Sequence, residues 1–494
     1  MELELAMNQL PYPILSTVIF VPLFGALLLL LFEREGTVKG IALGATLLNL
    51  LLSLPLLLRF DPRLVGFQFA ELKDWFPSLG ARYALGVDGI SMPLIMLTAL
   101  LSPLCVLCSW RAIEYRIKEF MFCILLMETA MIGVFSALDF VLFYIFWEAM
   151  LIPMYLLIAI WGGPRKDYAS IKFFIYTLVG SVLLLVAIIA LYLHNGTFSI
   201  PEALFKGYSF RFQYWVFLAF AIAFAIKVPM FPFHTWLPAA HVEAPTAGSV
   251  FLASVLLKMG TYGFMRFCLG ITPRASVHFA PLMVVLSIVA IIYAGFVCLG
   301  QEDMKRLIAY SSVAHMGFVT LGIFSFTLWG FKGALFQMLN HGVTTGALFL
   351  CVGIIYERTH SRLIEDNSGL GKVMPLYVAF LGLFCFSSFA FPGTNNFVGE
   401  FFVLLGVFGV NKAAGLAAIP GAVLAAAYML RLLKRITWRE GGEQAPLADL
   451  NTREVIYLLP LAVAVIWVGL APKGLSAVME PTLQALIEAL RVYL

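Results

Sequence analysis

Apolar runs of about twenty residues alternate with short polar segments along almost the whole chain, and that is the length a helix needs to cross a hydrocarbon core. The runs cover Ile14 to Phe32, Gly40 to Leu58, Gly89 to Trp110, Phe120 to Ser136, Phe140 to Trp161, Ile171 to Leu193 and Tyr214 to Phe231. They continue as Ala247 to Leu269, Pro281 to Leu299, Leu307 to Phe326, Gly333 to Tyr356, Met374 to Phe391 extended to Val410, Ala414 to Ile436, and Val455 to Leu470. With one crossing for each, the pattern predicts about 14 transmembrane helices. The longest loops, Arg59 to Asp88, Asn195 to Arg211 and Arg439 to Arg453, are too short to separate soluble domains. The expected fold is therefore all-α and polytopic, with residues 1–494 as a single transmembrane domain. After Pro481, the spacing of Leu483, Leu486, Ile487, Leu490 and Leu494 predicts an amphipathic helix on the membrane interface.

Two of the runs are interrupted. The segment from Lys227 carries Pro229 and Pro232, followed by Pro238 and Pro245. Five spans later Phe391, Pro392, Gly393, Thr394, Asn395 and Asn396 break a run that resumes with Glu400. An offset of five spans, an odd number, gives the two units opposite orientations, the sequence pattern of an inverted-repeat transporter with its site at mid-membrane. The units expected are about 112–272 and 278–437, with 438–494 as a last helix and tail. Pro229 frees the carbonyl of Ala225 and Pro232 that of Val228, and the Lys227 ammonium is expected to serve them at the negative end of its half-helix.

Composition supports the membrane class: 62% of residues are hydrophobic and 12% charged, against about 45–50% and about 25% in soluble domains. Of the 32 basic residues, 18 fall in loops on one side and 12 on the other, with Arg266 and Lys332 among the 12, leaving Lys227 and Lys258 inside spans. The positive-inside rule then puts both termini outside. The N-terminal MELELAMNQL is acidic, so the first run reads as a retained span rather than a signal peptide. The net charge of +4 is spread thinly and suggests no nucleic acid. The 7 cysteines lie in or beside apolar runs, and the lone CxxC at Cys105 and Cys108 suggests buried hydrophobes rather than a metal site.

Against this background the intramembrane charges stand out. Glu128, Glu148, Lys227, Lys258 and Glu400 all fall within spans. Each costs on the order of 2.5–3.5 kcal/mol to insert at a bilayer centre, so their number argues for a paired, hydrated, functional array. The bland alternative is a set of structural ion pairs. Making or breaking a Lys–Glu contact changes a buried lysine's proton affinity, which is the physics of a proton switch. His315 and His341 lie inside spans and can bridge such groups, while His234 and His241 flank the loop after the first break; His194, His278 and His360 read as loop residues. No phosphate-loop or dinucleotide motif is present.

The segments FWEAMLIPMYLLIAIWGG, IKVPMFPFHTWLPAAHVEAPTAGSVFLASVLLKMGTYG, LIAYSSVAHMGF and FPGTNNFVGEFFVL resemble those of the antiporter-like membrane subunits of respiratory complex I, in the same order and over nearly the full chain. Glutamate at 400 fits one branch of that family, since the sister subunits L and N usually have lysine there. The resemblance implies fourteen helices in two inverted five-helix repeats, the seventh and twelfth discontinuous. It implies a coupled Glu148–Lys227 pair, Lys258 and His315 as relays and Glu400 as the terminal group. Glu128, His234, His241 and His341 have secondary parts, and Pro229, Pro232, Pro392 and Gly393 form the breaks. It also implies membrane lipids and subunits L and N as neighbours, protons as cargo, and no cofactor in this chain, with flavin, iron–sulfur clusters and quinone in other subunits. The basic loops on one side and the lack of a targeting peptide point to a bacterial inner membrane. The alternatives are a subunit of a multisubunit sodium/proton antiporter or of a membrane-bound hydrogenase or formate-oxidising complex.

Overall fold

Each predicted apolar run is helical in the computed structural model, which describes residues 4–438 and 447–494. Arg439, counted among the loop cations, lies outside the described residues. The helices are α1 (Ile14–Leu29), α2 (Glu35–Leu58), α3 (Ser91–Ala112), α4 (Ile117–Ser136), α5 (Phe140–Trp161), α6 (Lys166–Asn195), α7 (Phe210–Lys227), α8 (Trp236–Glu243) and α9 (Thr246–Ile271). They continue with α10 (Pro273–Leu299), α11 (Met304–Ile323), α12 (Leu328–Thr359), α13 (Pro375–Ser388), α14 (Asn395–Val410), α15 (Lys412–Thr437), α16 (Thr452–Leu470) and α17 (Lys473–Leu490). Among the described residues, 11 helices are long and apolar enough to span a membrane, and α1, α13 and α14 are shorter apolar ones.

Local chemistry sets the helix starts. Asp139 accepts from the amides of Val141 and Leu142 to begin α5, and Asp303 from those of Lys305 and Arg306 to begin α11. Asn451 and Glu454 form a capping box on α16, so each start satisfies amides that would otherwise lack partners.

The helices differ in what they face. The most apolar stretch of α9 is 100% buried and that of α12 is 94% buried, whereas that of α2 is 28% buried. Interior helices can carry polar groups where these find partners, and α9 and α12 carry Lys258, Arg266, Lys332, Gln337, Asn340 and His341, all buried. Glycine sets the closest approach: a Cβ at Gly333 of α12 would stand 2.3 Å from the Val403 amide nitrogen of α14, and one at Gly399 would stand 2.5 Å from Gln337 Oε1.

The structure corrects the all-α expectation. The predicted loop from Arg59 to Asp88 holds most of a three-stranded sheet, in which β1 (Glu4–Met7) runs parallel to β2 (Gly66–Phe76) and β2 antiparallel to β3 (Ala81–Val87). Glu71 of β2 accepts from the amides of Leu15 and Ser16, and so caps α1, whose own flanking residue Pro13 has no side-chain acceptor. The C-terminal amphipathic helix begins at Lys473, with Pro481 inside it, and Leu494 falls beyond its end. It buries Met479, Leu483, Leu486 and Leu490 at the sheet end of the bundle, where Thr482 accepts from the Gly89 amide.

Several residues assigned to loops lie on helices. Arg266 is buried on α9 and paired with Asp88, Lys332 is buried on α12 and paired with Glu480, and Lys305 is buried in the first turn of α11, donating to the Ala244 carbonyl. His194 closes α6, stacked on Phe212, and His278 sits on α10 against Phe279.

Candidate functional site

The first break starts where α7 ends, at Lys227. The Ala225 carbonyl freed by Pro229 accepts from the Met230 amide at 2.7 Å, and the Ile226 carbonyl accepts from the Trp236 indole at 2.8 Å. The expected service of the Ala225 carbonyl by Lys227 is thus corrected, because backbone and indole donors reach the freed carbonyls first. The Lys227 ammonium instead lies 5.1 Å from the centre of the Trp147 ring, a cation–π distance. Trp147 precedes Glu148 on α5, so the aromatic ring connects the helix bearing Glu148 to the lysine. Glu148 makes no ion pair among the described residues, and its buried Oε1 has no protein partner. A run already rich in aromatics gave no signal for Trp147.

The second break closes in the same way. The Phe391 amide donates to the Phe386 carbonyl five residues back, as Met230 does to Ala225, and this bond satisfies the carbonyls left at a helix end. Ala390 (φ 57°) and Gly393 (φ 93°) take left-handed conformations around Pro392. The chain resumes as α14, on which Glu400 is in the second turn. Lys227 therefore lies at the carbonyl end of one half-helix and Glu400 near the amide end of another, each the favoured sign for that pole.

Between the breaks lies a line of polar groups. Lys258, 0% exposed at the middle of α9, donates to the Ala253 carbonyl, and its Nζ is 2.6 Å from Nδ1 of His341 on α12. The turn before it, Leu252–Leu256, is π-helical, a widening that often accompanies function. The His341 ring centre is 5.6 Å from that of His315 on α11. His315 Nδ1 stands 2.9 Å from Glu400 Oε1, its Nε2 stands 3.3 Å from the Ser388 hydroxyl, and Gln337 donates to the same Glu400 oxygen at 3.0 Å. Gln337 and Ser388 escaped the sequence reading because amides and hydroxyls are common in buried helices.

The structure thus brings Lys258, His341, His315 and Glu400 together and promotes His341 from a secondary place to the centre. The Gly342 and Gly346 pair makes this contact possible: a Cβ at Gly342 would be 2.9 Å from the Ser254 carbonyl oxygen, and one at Gly346 would be 2.6 Å from its hydroxyl. Ser254 donates to the Gly342 carbonyl at 2.7 Å, which locks α9 to α12 one turn from Lys258.

Other expected residues lie off this line. Glu128 accepts from Asn49 of α2 at 2.7 Å. His241 stacks on Phe349 at 4.6 Å, and His234 packs beside Phe231 and Tyr293. All four of their ring nitrogens are buried without protein partners. Beyond α8, at the end of the bundle opposite the sheet, a basin of about 540 Å³ reaches Glu243, Ala244, Lys305 and Arg362. Among the described residues, no group of three or more His, Cys, Asp or Glu could hold a metal ion.

Comparison with known proteins agrees with this architecture. A family model described as "NADH:quinone oxidoreductase/Mrp antiporter, TM" matches residues 137–425, and one described as "NADH-ubiquinone oxidoreductase chain 4, amino terminus" matches residues 19–134. The chain belongs to this family of antiporter-like, multi-pass membrane subunits of oxidoreductase complexes. It is 46% identical to NADH-quinone oxidoreductase subunit M of Rhodobacter capsulatus over 96% of each chain. It is 45% identical to NADH-ubiquinone oxidoreductase chain 4 of Chondrus crispus over 92% of this chain and 93% of that one. A chain in the structure of respiratory complex I from Thermus thermophilus with bound NADH matches with a TM-score of 0.90 at 32% identity, covering 96% of this chain and 99% of that one.

Proposed function

We propose that this chain carries protons across a bacterial inner membrane as the M-type subunit of an NADH:quinone oxidoreductase, seated between subunits L and N. The observation that carries the reading is the line Lys258, His341, His315, Glu400, with 2.6 Å and 2.9 Å contacts at its ends. A single water or a ring rotation spans the remaining step between the imidazoles, within the reach that proton transfer requires. Protons enter from the basin opposite the sheet, pass His241 to reach the lysines, and leave beyond Glu400. The sheet end, with both termini, faces outward.

If α7 with α8, and α13 with α14, count as one crossing each, and the amphipathic α17 lies on the interface, fourteen crossings result. Residues of about 112–272 and 278–437 are the two inverted repeats, and the shared closing hydrogen bonds of the two breaks support that pairing. Flavin, iron–sulfur clusters and quinone belong to other subunits. Quinone chemistry there alters the field between Glu148 and Lys227, which are linked here through Trp147. Moving one proton against 100 mV costs about 2.3 kcal/mol, a scale that one buried charge changing partners supplies.

The test is NADH-driven proton uptake by inside-out vesicles carrying wild-type chain or Glu148→Ala, with NADH oxidation and assembly followed in the same preparations. Loss of uptake in an assembled variant is expected. Unchanged uptake would reduce the chain to a scaffold.

A further inference from the structure

Tyr262 and Arg266 follow Lys258 at intervals of four on α9, toward the sheet end. Arg266 is 7% exposed and its guanidinium pairs with Asp88 at 2.5 Å. It lies 5.4 Å from the centre of the Tyr262 ring and 5.0 Å from that of Phe67 on β2. Asp88 is held by the amides of Ile90 and Ser91 on Oδ1, which leaves Oδ2 for the arginine. The helix is again widened here, with a second π-helical turn over Phe264–Cys268. Arg266 Nε is buried without a protein partner. On the sheet side a cavity of about 30 Å³, lined by Asp88, Arg266, Thr482 and Leu486, has room for one water.

Lys258 is therefore only about 12 Å along the helix from that cavity, at 1.5 Å per residue, with a phenol between. This way to the sheet end bypasses both histidines and Glu400. A pump whose central base had both routes open would lose its gradient through the bypass. We propose that Arg266 is a fixed-cation barrier that closes this direct way, so that protons leave Lys258 only through His341. An arginine does not deprotonate in a protein, so it cannot relay a proton. A cation fixed in a narrow passage also repels incoming ones, as in other proton-excluding pores. Phe67, Tyr262 and Asp88 hold the guanidinium in place.

The barrier rests on the proton-carrying reading above, but its test needs no turnover. The whole complex is placed in proteoliposomes without substrate, an external pH step is imposed, and an internal dye reports proton leak. Arg266→Gln is expected to leak several-fold faster than wild type. Arg266→Gln with Lys258→Ala should seal again, because the central base is gone. If Arg266→Gln does not assemble, Asp88→Asn with Arg266→Gln removes both charges and should leak equally. A tight assembled Arg266→Gln or double neutral variant would overturn the barrier, as would a leak that survives loss of Lys258. A tight Arg266→Gln beside a Glu148→Ala that no longer pumps removes the barrier alone; a Glu148→Ala that still pumps removes the underlying reading.

Discussion

Lys258 and His341 share a hydrogen bond of 2.6 Å between Nζ and Nδ1, across two helices 83 residues apart in sequence. Lysine and imidazole are both bases, so this geometry holds one proton with either nitrogen as donor. The Ala253 carbonyl accepts from Lys258 whichever nitrogen carries it. On the far side of the ring, His341 Nε2 has no protein partner and is free to pass a proton toward His315. A contact that tolerates both protonation states is suited to relay, whereas a structural ion pair needs opposite fixed charges.

His341→Ala should therefore break the line without unmaking the fold. A positioned acid–base group typically contributes about 10²–10⁴-fold to a proton transfer, so its loss should slow transfer below the turnover of the complex. The expected result is assembled complex with NADH oxidation retained and uptake per NADH reduced. Wild-type uptake in His341→Ala would show that protons bypass the histidine.

The glycines beside this contact give a packing test. Gly342→Ala brings a Cβ to 2.9 Å from the Ser254 carbonyl, backbone that cannot swing away, whereas Gly346→Ala meets the Ser254 hydroxyl, which can rotate. Overpacking typically costs about 1–3 kcal/mol, and at Gly342 it should also lengthen the Lys258–His341 contact. Gly342→Ala should thus lower both the thermal stability of the complex and its proton uptake, with Gly346→Ala affecting each less. The same loss in both variants would contradict this account.

The spans, the two breaks and most of the charged axis were legible because a lysine or proline is conspicuous in an apolar run. Arg266 was not, although it lies within the predicted run from Ala247 to Leu269. Its partner Asp88 is 178 residues away, so local reading assigned the cation to a loop. The break at Pro229 misled for a related reason: Lys227 was the nearest visible donor, but the Trp236 indole returns from ten residues on to take the Ile226 carbonyl. The strands of residues 66–76 and 81–87 were lost among loop residues because β2 is buried over its first half and exposed over its second, without a clean alternation.

Glu400 accepts from Gln337 at 3.0 Å and faces His315 at 2.9 Å through the same oxygen. Glu400→Gln keeps the shape and removes the charge, so it should stop uptake in an assembled complex. Gln337→Ala keeps the charge and removes one donor, worth about 1.5–3 kcal/mol for a hydrogen bond to a charged group, and should weaken uptake without abolishing it. Proton uptake per NADH, measured side by side in the two variants, checks the order. Equal effects would place the function of Glu400 in its hydrogen bonds rather than its charge.

Glu128 is predicted to be structural, against its sequence-based place on the pathway. Its one hydrogen bond among the described residues joins α4 to α2 through Asn49, with no link to the histidines or lysines. Glu128→Ala should leave the buried Asn49 amide unsatisfied, at about 1–3 kcal/mol, and so lower the thermal stability of the assembled complex. Removing both partners, as Asn49→Leu with Glu128→Leu, should recover most of that loss, since a satisfied apolar contact replaces an orphaned polar one. Uptake per NADH should match wild type in both variants. A double variant that is stable but does not pump would return Glu128 to the proton path.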